Sequence, residues 1–282
     1  MQLTQAILPV AGLGTRFLPW TKVVPKELLP LGKRPIIALL VDECLSVGIS
    51  DICFVISRGK ETIPKFFERD EALEAELKRR GKTNLLSELA RYDNVRFTTV
   101  YQEEQKGDGH AILQATDFVK SDQVAILFGD DLVWGTENGL QQLTKAAAQI
   151  EEQPGRREEF AVLCLESVAR ELVSKYGIVD VDLADSAGRL KKLRGLVEKP
   201  KPEDAPSNLA VVGKYLIPKS TFSVLPSVKS GHGGEIRLID ALIAQLTSID
   251  IFGYEFEGKR LDTGRPEGYR EAVLAMGGEL SS

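Results

Sequence analysis

The feature that most constrains this chain is an alternation. Short apolar runs recur through its first half, each separated from the next by a stretch with helical character. "QAILPV" (5–10), "DICFVIS" (51–57), "VRFTTVY" (95–101) and "QVAILFGDD" (123–131) read as buried strands, the last ending in two aspartates. "PIIALLVDECLSVG" (35–48) reads as a helix, with Pro35 in its first turn and Gly48 as its stop. "ETIPKFFERDEALEAELKRRGKTNLLSELARY" (61–92) is polar and predicts two or three helices. "GHAILQATDFV" (109–119) predicts a short helix and "GLQQLTKAAAQIEEQ" (139–153) another. Such alternation implies right-handed βαβ units and a mixed, mostly parallel sheet with helices on both faces, an α/β fold. Sheets of this kind bind ligands outside the carboxyl ends of their strands, where the strand order reverses. The segment after the first strand, Gln102, and Asp130–Asp131 all follow strands, so all can share one rim.

The second half changes texture. "EEFAVLCLESV", "YGIVDVDL", "GRLKKLRGLVEKP" and "NLAVVGKYLIP" are β-rich with turns between them. "GGEIRLIDALIAQL" and "GYREAVLAM" supply late helices. No internal repeat or long linker divides the chain; "KPKPEDAPSN" is a short Pro-rich connector. A single domain over residues 1–282 is expected. With 43% hydrophobic and 27% charged residues, the composition is that of an ordinary globular protein. The net charge of −5 argues against long nucleic acid as a partner. No apolar run approaches the ~20 residues of a membrane span. The first residues lack the basic start and cleavage site of a signal peptide, so a cytoplasmic location is expected. Cys44, Cys53 and Cys164 form no C-x-x-C pair and read as buried free thiols. His110 and His232 lie far apart and make no metal-binding pattern.

The stretch "LPVAGLGTRFLPWTKVVPKELLP" (8–30) carries the chemistry. It leaves the first strand, turns through Gly12 and Gly14, and delivers Arg16, Lys22 and Lys26. It begins like the dinucleotide fingerprint G-x-G-x-x-G, but Phe17 stands where the third glycine belongs. After the second strand come Arg58 and Gly59 rather than an acid, so the nicotinamide reading fails twice. Gly81-Lys82-Thr83 mimics the end of a P-loop, but Glu76 stands where its first glycine should be. What remains is a turn whose backbone N–H groups can approach a phosphate or base, with Arg16 as a bidentate clamp and Lys26 as a point charge. On spacing alone, a phosphate-rich ligand and a plain solvated loop both stay open.

"AGLGTRFLP" followed by "PKELLPL" resembles the signature of the sugar-nucleotide pyrophosphorylases, or nucleotidyltransferases. "YQEEQKGDGHAI", "FGDDL", "SKYGIVDV", "LVEKPKPEDAPSNLAVVGKYL", "GGEIRLIDAL" and "YEFEGKRLDTG" resemble the bacterial branch that uses UTP and glucose 1-phosphate. The likeness spans about residues 4 to 275. This chain has "PVAG" and "FGDDL" where the family usually shows "PAAG" and "PDDL". The resemblance implies a Rossmann-like sheet with a nucleotide-binding part over about 1–150 and a β-rich sugar-binding and C-terminal part over about 151–282. It also implies a homodimer or homotetramer.

The implied reaction joins UTP and glucose 1-phosphate into UDP-glucose and pyrophosphate, by in-line attack on the α-phosphorus. The second pKa of a phosphomonoester is about 6, so the nucleophile is ionised near neutrality and needs no general base. Catalysis then rests on positioning and charge neutralisation. The resemblance assigns Arg16 and Lys26 to the triphosphate and Lys199 to the sugar phosphate. It assigns Glu198 to glucose hydroxyls and Gly177 to a backbone contact with the sugar. Ala11, Gly12, Gly14, Glu27, Gln102 and Gly107 fall around the nucleoside. Asp130 is the expected Mg²⁺ ligand, with Asp262 of "LDTG" as a second. Alternating strand residues face opposite ways, so Asp131 is expected to support the nucleotide site from another direction. His110 is expected to be structural. The competing functions are a thymidylyltransferase on the same scaffold and a non-catalytic relative that binds sugar nucleotides.

Overall fold

The computed structural model describes residues 3–228 and 234–277. His232 lies outside the described residues, as do Met1, Gln2 and the first residue of the late helical run that was expected from Gly233. Four parallel strands open the chain: β1 (Gln5–Pro9), β2 (Asp51–Ile56), β3 (Arg96–Tyr101) and β4 (Gln123–Leu127). Two short strands, β5 (Asp131–Trp134) and β11 (Lys259–Asp262), pair as a separate antiparallel ribbon. The second half adds β6 (Phe160–Ser167), β7 (Gly177–Ala187), β8 (Leu190–Glu198), β9 (Leu209–Pro218) and β10 (Asp250–Glu255). A two-residue hairpin pairs Pro30–Leu31 with Arg34–Pro35.

Among the described residues, nine strands form one sheet in the order β3-β2-β1-β4-β9-β6-β10-β8-β7. The expected mixed sheet is therefore present. Its parallel part is the N-terminal half, where β3, β2, β1 and β4 run together. Along that order the eight neighbouring pairs divide evenly, four parallel and four antiparallel, and a further antiparallel contact joins β9 to β7. The antiparallel joints come from the β-rich second half, whose strands return through turns rather than helical crossovers. β1 has β2 on one side and β4 on the other, so the strand order reverses there. The crevice this opens lies at the carboxyl ends of β1 and β4.

The strands are buried on both faces, which explains their near-continuous apolar runs. Ala6, Leu8, Ile52, Phe54, Ala125 and Leu127 pack to one side with helices α1 (Ile36–Leu45) and α3 (Gly139–Glu151). Ile7, Cys53, Val55, Val124 and Ile126 pack to the other with α2 (Asp108–Leu113) and α4 (Leu238–Gln245). α5 (Pro266–Met276) closes the first side through Ala272 and Met276. The segment 61–92 holds three short helices, Thr62–Lys65, Glu71–Arg79 and Leu86–Leu89. It is anchored by Phe67, whose ring lies 5.2 Å from Phe54 and 4.7 Å from Phe97. The three cysteines are free and buried, and burial raises their thiol pKa values, Cys53 to about 12.

One boundary differs from expectation. "QVAILFGDD" is not one strand ending in aspartates. β4 stops at Leu127, the chain turns through Phe128–Asp130, and Asp131 opens β5. The Phe128 amide donates to the Gly213 carbonyl of β9 (2.8 Å), which fastens the turn to the sheet.

Candidate active site

Two cavities meet at this crevice. The smaller, about 280 Å³, is lined by Ala11, Gly12, Lys26, Glu27, Gln102 and Gly107. The larger, about 510 Å³, is lined by Arg16, Asp131, Gly177, Glu198, Lys199 and Asp262 among others. Asp108, Phe128 and Asp130 belong to both walls. The structure thus gathers the residues expected around the nucleoside on one side of Asp130 and those expected around the sugar on the other. Gly14 lines neither cavity; it takes a left-handed conformation (φ 65°) that turns the chain toward Arg16. Asp131, expected on the nucleotide side, lines the larger cavity instead.

The cations and carboxylates are interlocked. Lys26 Nζ lies 2.6 Å from Asp130 Oδ2. Burial acts to lower the Lys26 pKa, but the Asp130 and Glu27 carboxylates outweigh it and hold the ammonium above its ordinary value. Burial acts to raise the Asp130 carboxyl, but Lys26, Arg260 and Arg16 outweigh it and hold the group ionised. Asp131 has both oxygens engaged, Oδ1 by Arg260 Nε (2.6 Å) and Oδ2 by the Gly213 amide (3.1 Å). It braces the wall rather than facing an open coordination position. Burial and the neighbouring Asp130 charge raise its carboxyl pKa against the pull of Arg260.

Asp262 reaches Asp130 because the "LDTG" turn is stitched to it. The Thr263 amide and hydroxyl both donate to the Asp130 carbonyl, at 2.8 and 3.0 Å. Gly264 allows the approach: a Cβ there would lie 2.6 Å from Asp130 Oδ2 and 3.1 Å from Asp262 Oδ1. Arg16 donates to the Gly264 carbonyl (3.4 Å), so its guanidinium stands over the same spot. Asp262 is also engaged, Oδ1 by the Gly264 amide (3.0 Å) and Oδ2 by Arg265 (2.9 Å). Unlike Asp131, it converges with Asp130 about Gly264, where the two carboxylates fit a hard divalent ion that takes its remaining ligands from phosphate and water. Among the described residues no set of three or more acidic, histidine or cysteine donors forms a closed protein cage.

On the smaller side, Gln102 is almost fully buried and its amide orientation is set. Its Nε2 donates to the Gly107 carbonyl (3.0 Å) and lies 3.1 Å from His110 Nδ1. That leaves Oε1 as the group to meet a ligand. Gly107 has φ 99°, and a Cβ there would meet the Ile236 carbonyl at 2.4 Å, so the tight turn into α2 requires glycine. Glu27 is buried between two lysines, and Lys60 is the partner that sequence reading missed. Its Nζ donates to the Val10 carbonyl (2.7 Å) and to Glu27 Oε2 (3.0 Å), tying the glycine turn to the segment that carries Lys26. Burial lowers the Lys60 pKa, with Glu27 pulling the other way. "SRGKE" reads as an exposed turn, and nothing local signals that Lys60 folds inward.

On the larger side, Lys199 is the one non-glycine residue with positive φ (48°) among the described residues. Non-glycine residues held in this region cost ~1–3 kcal/mol and cluster at functional sites. Its amide donates to the Tyr176 carbonyl (2.9 Å), beside Gly177, and its Nζ lies 3.3 Å from Glu198 Oε1. Arg260 and Arg265 also line this cavity and were not singled out from sequence.

The chain matches the family model described as nucleotidyl transferase over residues 5–277. It is 38% identical over 275 residues to a UTP–glucose-1-phosphate uridylyltransferase of Staphylococcus haemolyticus, covering 97% of this chain and 92% of that protein. It is 40% identical over 264 residues to the enzyme of that name from Komagataeibacter xylinus, covering 93% and 89%. Its fold superposes on a UTP-bound UGPase from Acinetobacter baumannii with a TM-score of 0.88, at 34% identity over 99% of this chain and 94% of that one. With a UDP-glucose pyrophosphorylase complexed with UDP-glucose, the TM-score is 0.84 at 33% identity, covering 99% of this chain and all of the other. A crevice at the switch point of a mixed sheet, lined in two halves by the expected motifs, and these matches along nearly the whole length lead to one assignment: the chain belongs to the nucleotidyl transferase family.

Proposed function

We propose that this protein is a UTP–glucose-1-phosphate uridylyltransferase, which makes UDP-glucose and pyrophosphate. The observation that carries the reading is the pair of cavities joined at Asp130, one built from the nucleoside motifs and one from the sugar motifs. The smaller takes the uridine, the larger takes the glucose, and the α-phosphorus comes to lie at the junction. The sugar phosphate enters already ionised, so the obstacle is repulsion between two anions. Arg16 and Lys26 hold the triphosphate and stabilise the departing pyrophosphate, while Lys199 brings in the attacking phosphate. Glu198 accepts hydrogen bonds from glucose hydroxyls. Asp130 and Asp262 would hold a divalent ion, magnesium in this proposal, which supplies further charge neutralisation at the phosphates. The proposed division is nucleotide handling by about residues 1–150 and sugar handling by about 151–282. Assembly as a homodimer or homotetramer and a cytoplasmic location complete the proposal. None of the described helices is long and apolar enough to cross a membrane.

The test is pyrophosphate release with glucose 1-phosphate and each of UTP, dTTP, CTP and ATP. UTP is expected to give the highest kcat/KM. A preference for dTTP would assign the site to thymidylyl transfer, and no release with any nucleotide would leave a binding protein.

The base is read through Gln102. With its Nε2 held internally, Oε1 accepts from the N3–H of uracil. Cytosine has no hydrogen there, so an acceptor would face an acceptor, and an unpaired buried polar group costs ~1–3 kcal/mol. Thymine presents the same edge as uracil. Gln102→Ala is therefore expected to erode selectivity for UTP over CTP by roughly 5- to 150-fold, while leaving the ratio of UTP to dTTP nearly unchanged. Comparison of kcat/KM for the three nucleotides decides it; intact CTP discrimination in the variant would move base reading to the backbone around Ala11 and Gly12.

A further inference from the structure

Asp108 stands at the junction of the two cavities, and no role in the reaction above uses it. It is the first residue of α2 and is exposed into the crevice rather than packed away. Its Oδ1 accepts a hydrogen bond from the Leu238 amide at the start of α4 (2.8 Å). That bond ties the carboxylate of α2 to the start of α4, while the neighbouring Gly109 amide goes to the Ile236 carbonyl (2.9 Å). Among the described residues no cation pairs with it.

Its charged and titratable neighbours face the larger cavity, although Asp108 also lines the smaller one beside Gly107. Glu198, Arg237 and Tyr215 are the charged or titratable neighbours that act on it or respond to it. Arg237 is committed elsewhere, with two 2.8 Å bonds to Asp240 and a 3.6 Å approach to Glu198. The Asp108 side chain opens into the crevice, but the surrounding protein screens it from bulk water, and this desolvation raises its carboxyl to about 6, which leaves it ionised at neutral pH. A fixed, unpaired carboxylate facing a ligand cavity needs hydrogen-bond donors. The phosphates of both substrates offer none; the ribose and acceptor-sugar hydroxyls do, and the neighbouring Glu198 and Tyr215 favour the acceptor sugar.

We propose that Asp108 is a second carboxylate that reads the acceptor sugar, acting alongside Glu198, and that it makes the site select uncharged hexose 1-phosphates over hexuronic acid 1-phosphates. The inference rests on the uridylyltransferase reading. A hydroxyl donating to a carboxylate makes a charge-assisted bond, and a sugar carboxylate brought to the same place meets like charge.

The experiment measures kcat and KM for glucose 1-phosphate, glucuronic acid 1-phosphate and UTP in wild type, Asp108→Asn and Asp108→Leu, with a thermal melt of each. Asn keeps an oxygen for the Leu238 amide, so the fold is expected to hold. In Asp108→Asn the KM for glucose 1-phosphate is expected to rise about tenfold or more, with the KM for UTP unchanged. The preference for glucose 1-phosphate over glucuronic acid 1-phosphate is expected to shrink at least about tenfold, and further in Asp108→Leu. Wild-type turnover of glucose 1-phosphate with UTP is the control: its absence overturns the uridylyltransferase reading and this inference with it. If wild type is active, an unchanged sugar preference in Asp108→Asn overturns the inference alone. So does a rise confined to the KM for UTP, which would place Asp108 on the ribose.

Discussion

Lys26→Met is expected to slow the chemical step by at least ~10²-fold, the loss typical of removing one electrostatic donor from a transition state. Lys26 is the ammonium nearest the cavity junction, and its partner there is Asp130 at 2.6 Å. Methionine keeps most of the stem's volume, so the change is chiefly one of charge. Two effects then add. The developing charge on the leaving pyrophosphate loses a counter-ion, and Asp130 loses the neighbour that holds its carboxyl pKa down against burial. Asp130→Asn is the complementary change. It is expected to cut turnover as severely, with a melting temperature close to wild type and weaker dependence on added Mg²⁺. Steady-state kinetics separate the roles. A fall in kcat with little change in the KM for UTP marks an interaction made in the transition state. A raised KM with kcat intact would mark uniform binding and refute the assignment. Full wild-type activity in excess chelator would refute the metal role of Asp130 and Asp262.

Much of this site could be read from sequence because its parts are local. A buried parallel strand announces itself as an unbroken apolar run, and the residues just past it fall at the rim whatever the loops do. That places Gly12, Gln102 and Asp130 without coordinates. The pairing of Asp130 with Lys26 spans 104 positions, and the approach of Asp262 spans 132. Neither pairing can be reached from periodicity, and family likeness alone supplied Asp262. Lys60 and Asp108 were missed for opposite reasons. Lys60 sits in a polar turn whose burial is decided by Glu27, a residue from another segment. Asp108 lies inside a quoted motif, where the flanking glycines drew the reading. The strand end was misplaced by four residues, since β4 stops at Leu127 once the Gly213 carbonyl takes the Phe128 amide. Lys214 did carry a signal that went unused. In "AVVGKYLIP" it shares a strand face with Val212 and Leu216, both buried in the core beside α1 and α3. A lysine on such a face requires an acid opposite.

That acid is Glu43 of α1, and the pair sets the second large expectation. Lys214 Nζ lies 2.8 Å from Glu43 Oε2, with Lys214 at 0% and Glu43 at 4% exposure. Glu43 Oε1 accepts from the Leu140 amide in the first turn of α3 (2.7 Å), so one carboxylate joins α1, α3 and β9. β9 is also the strand whose Gly213 amide holds Asp131. A buried ion pair adds little over a well-packed apolar pair, but removing one partner strands the other charge and costs ~3–5 kcal/mol. Lys214→Met is expected to destabilise by that amount, a drop in Tm of roughly 6–10 °C for a chain of this size. Glu43→Gln is expected to cost a similar amount, because its amide would present a donor to the Lys214 ammonium. The double variant Glu43→Gln/Lys214→Met removes both charges and keeps an oxygen for the Leu140 amide. It is therefore expected to be more stable than the sum of the single losses predicts, with a coupling within the ~0.5–3 kcal/mol found for contacting residues. Denaturant unfolding of the four proteins measures the cycle. Additive losses would mean that the two groups do not share a buried contact. A Lys214→Met protein melting within a degree of wild type would mean that water reaches Glu43 once the lysine is gone.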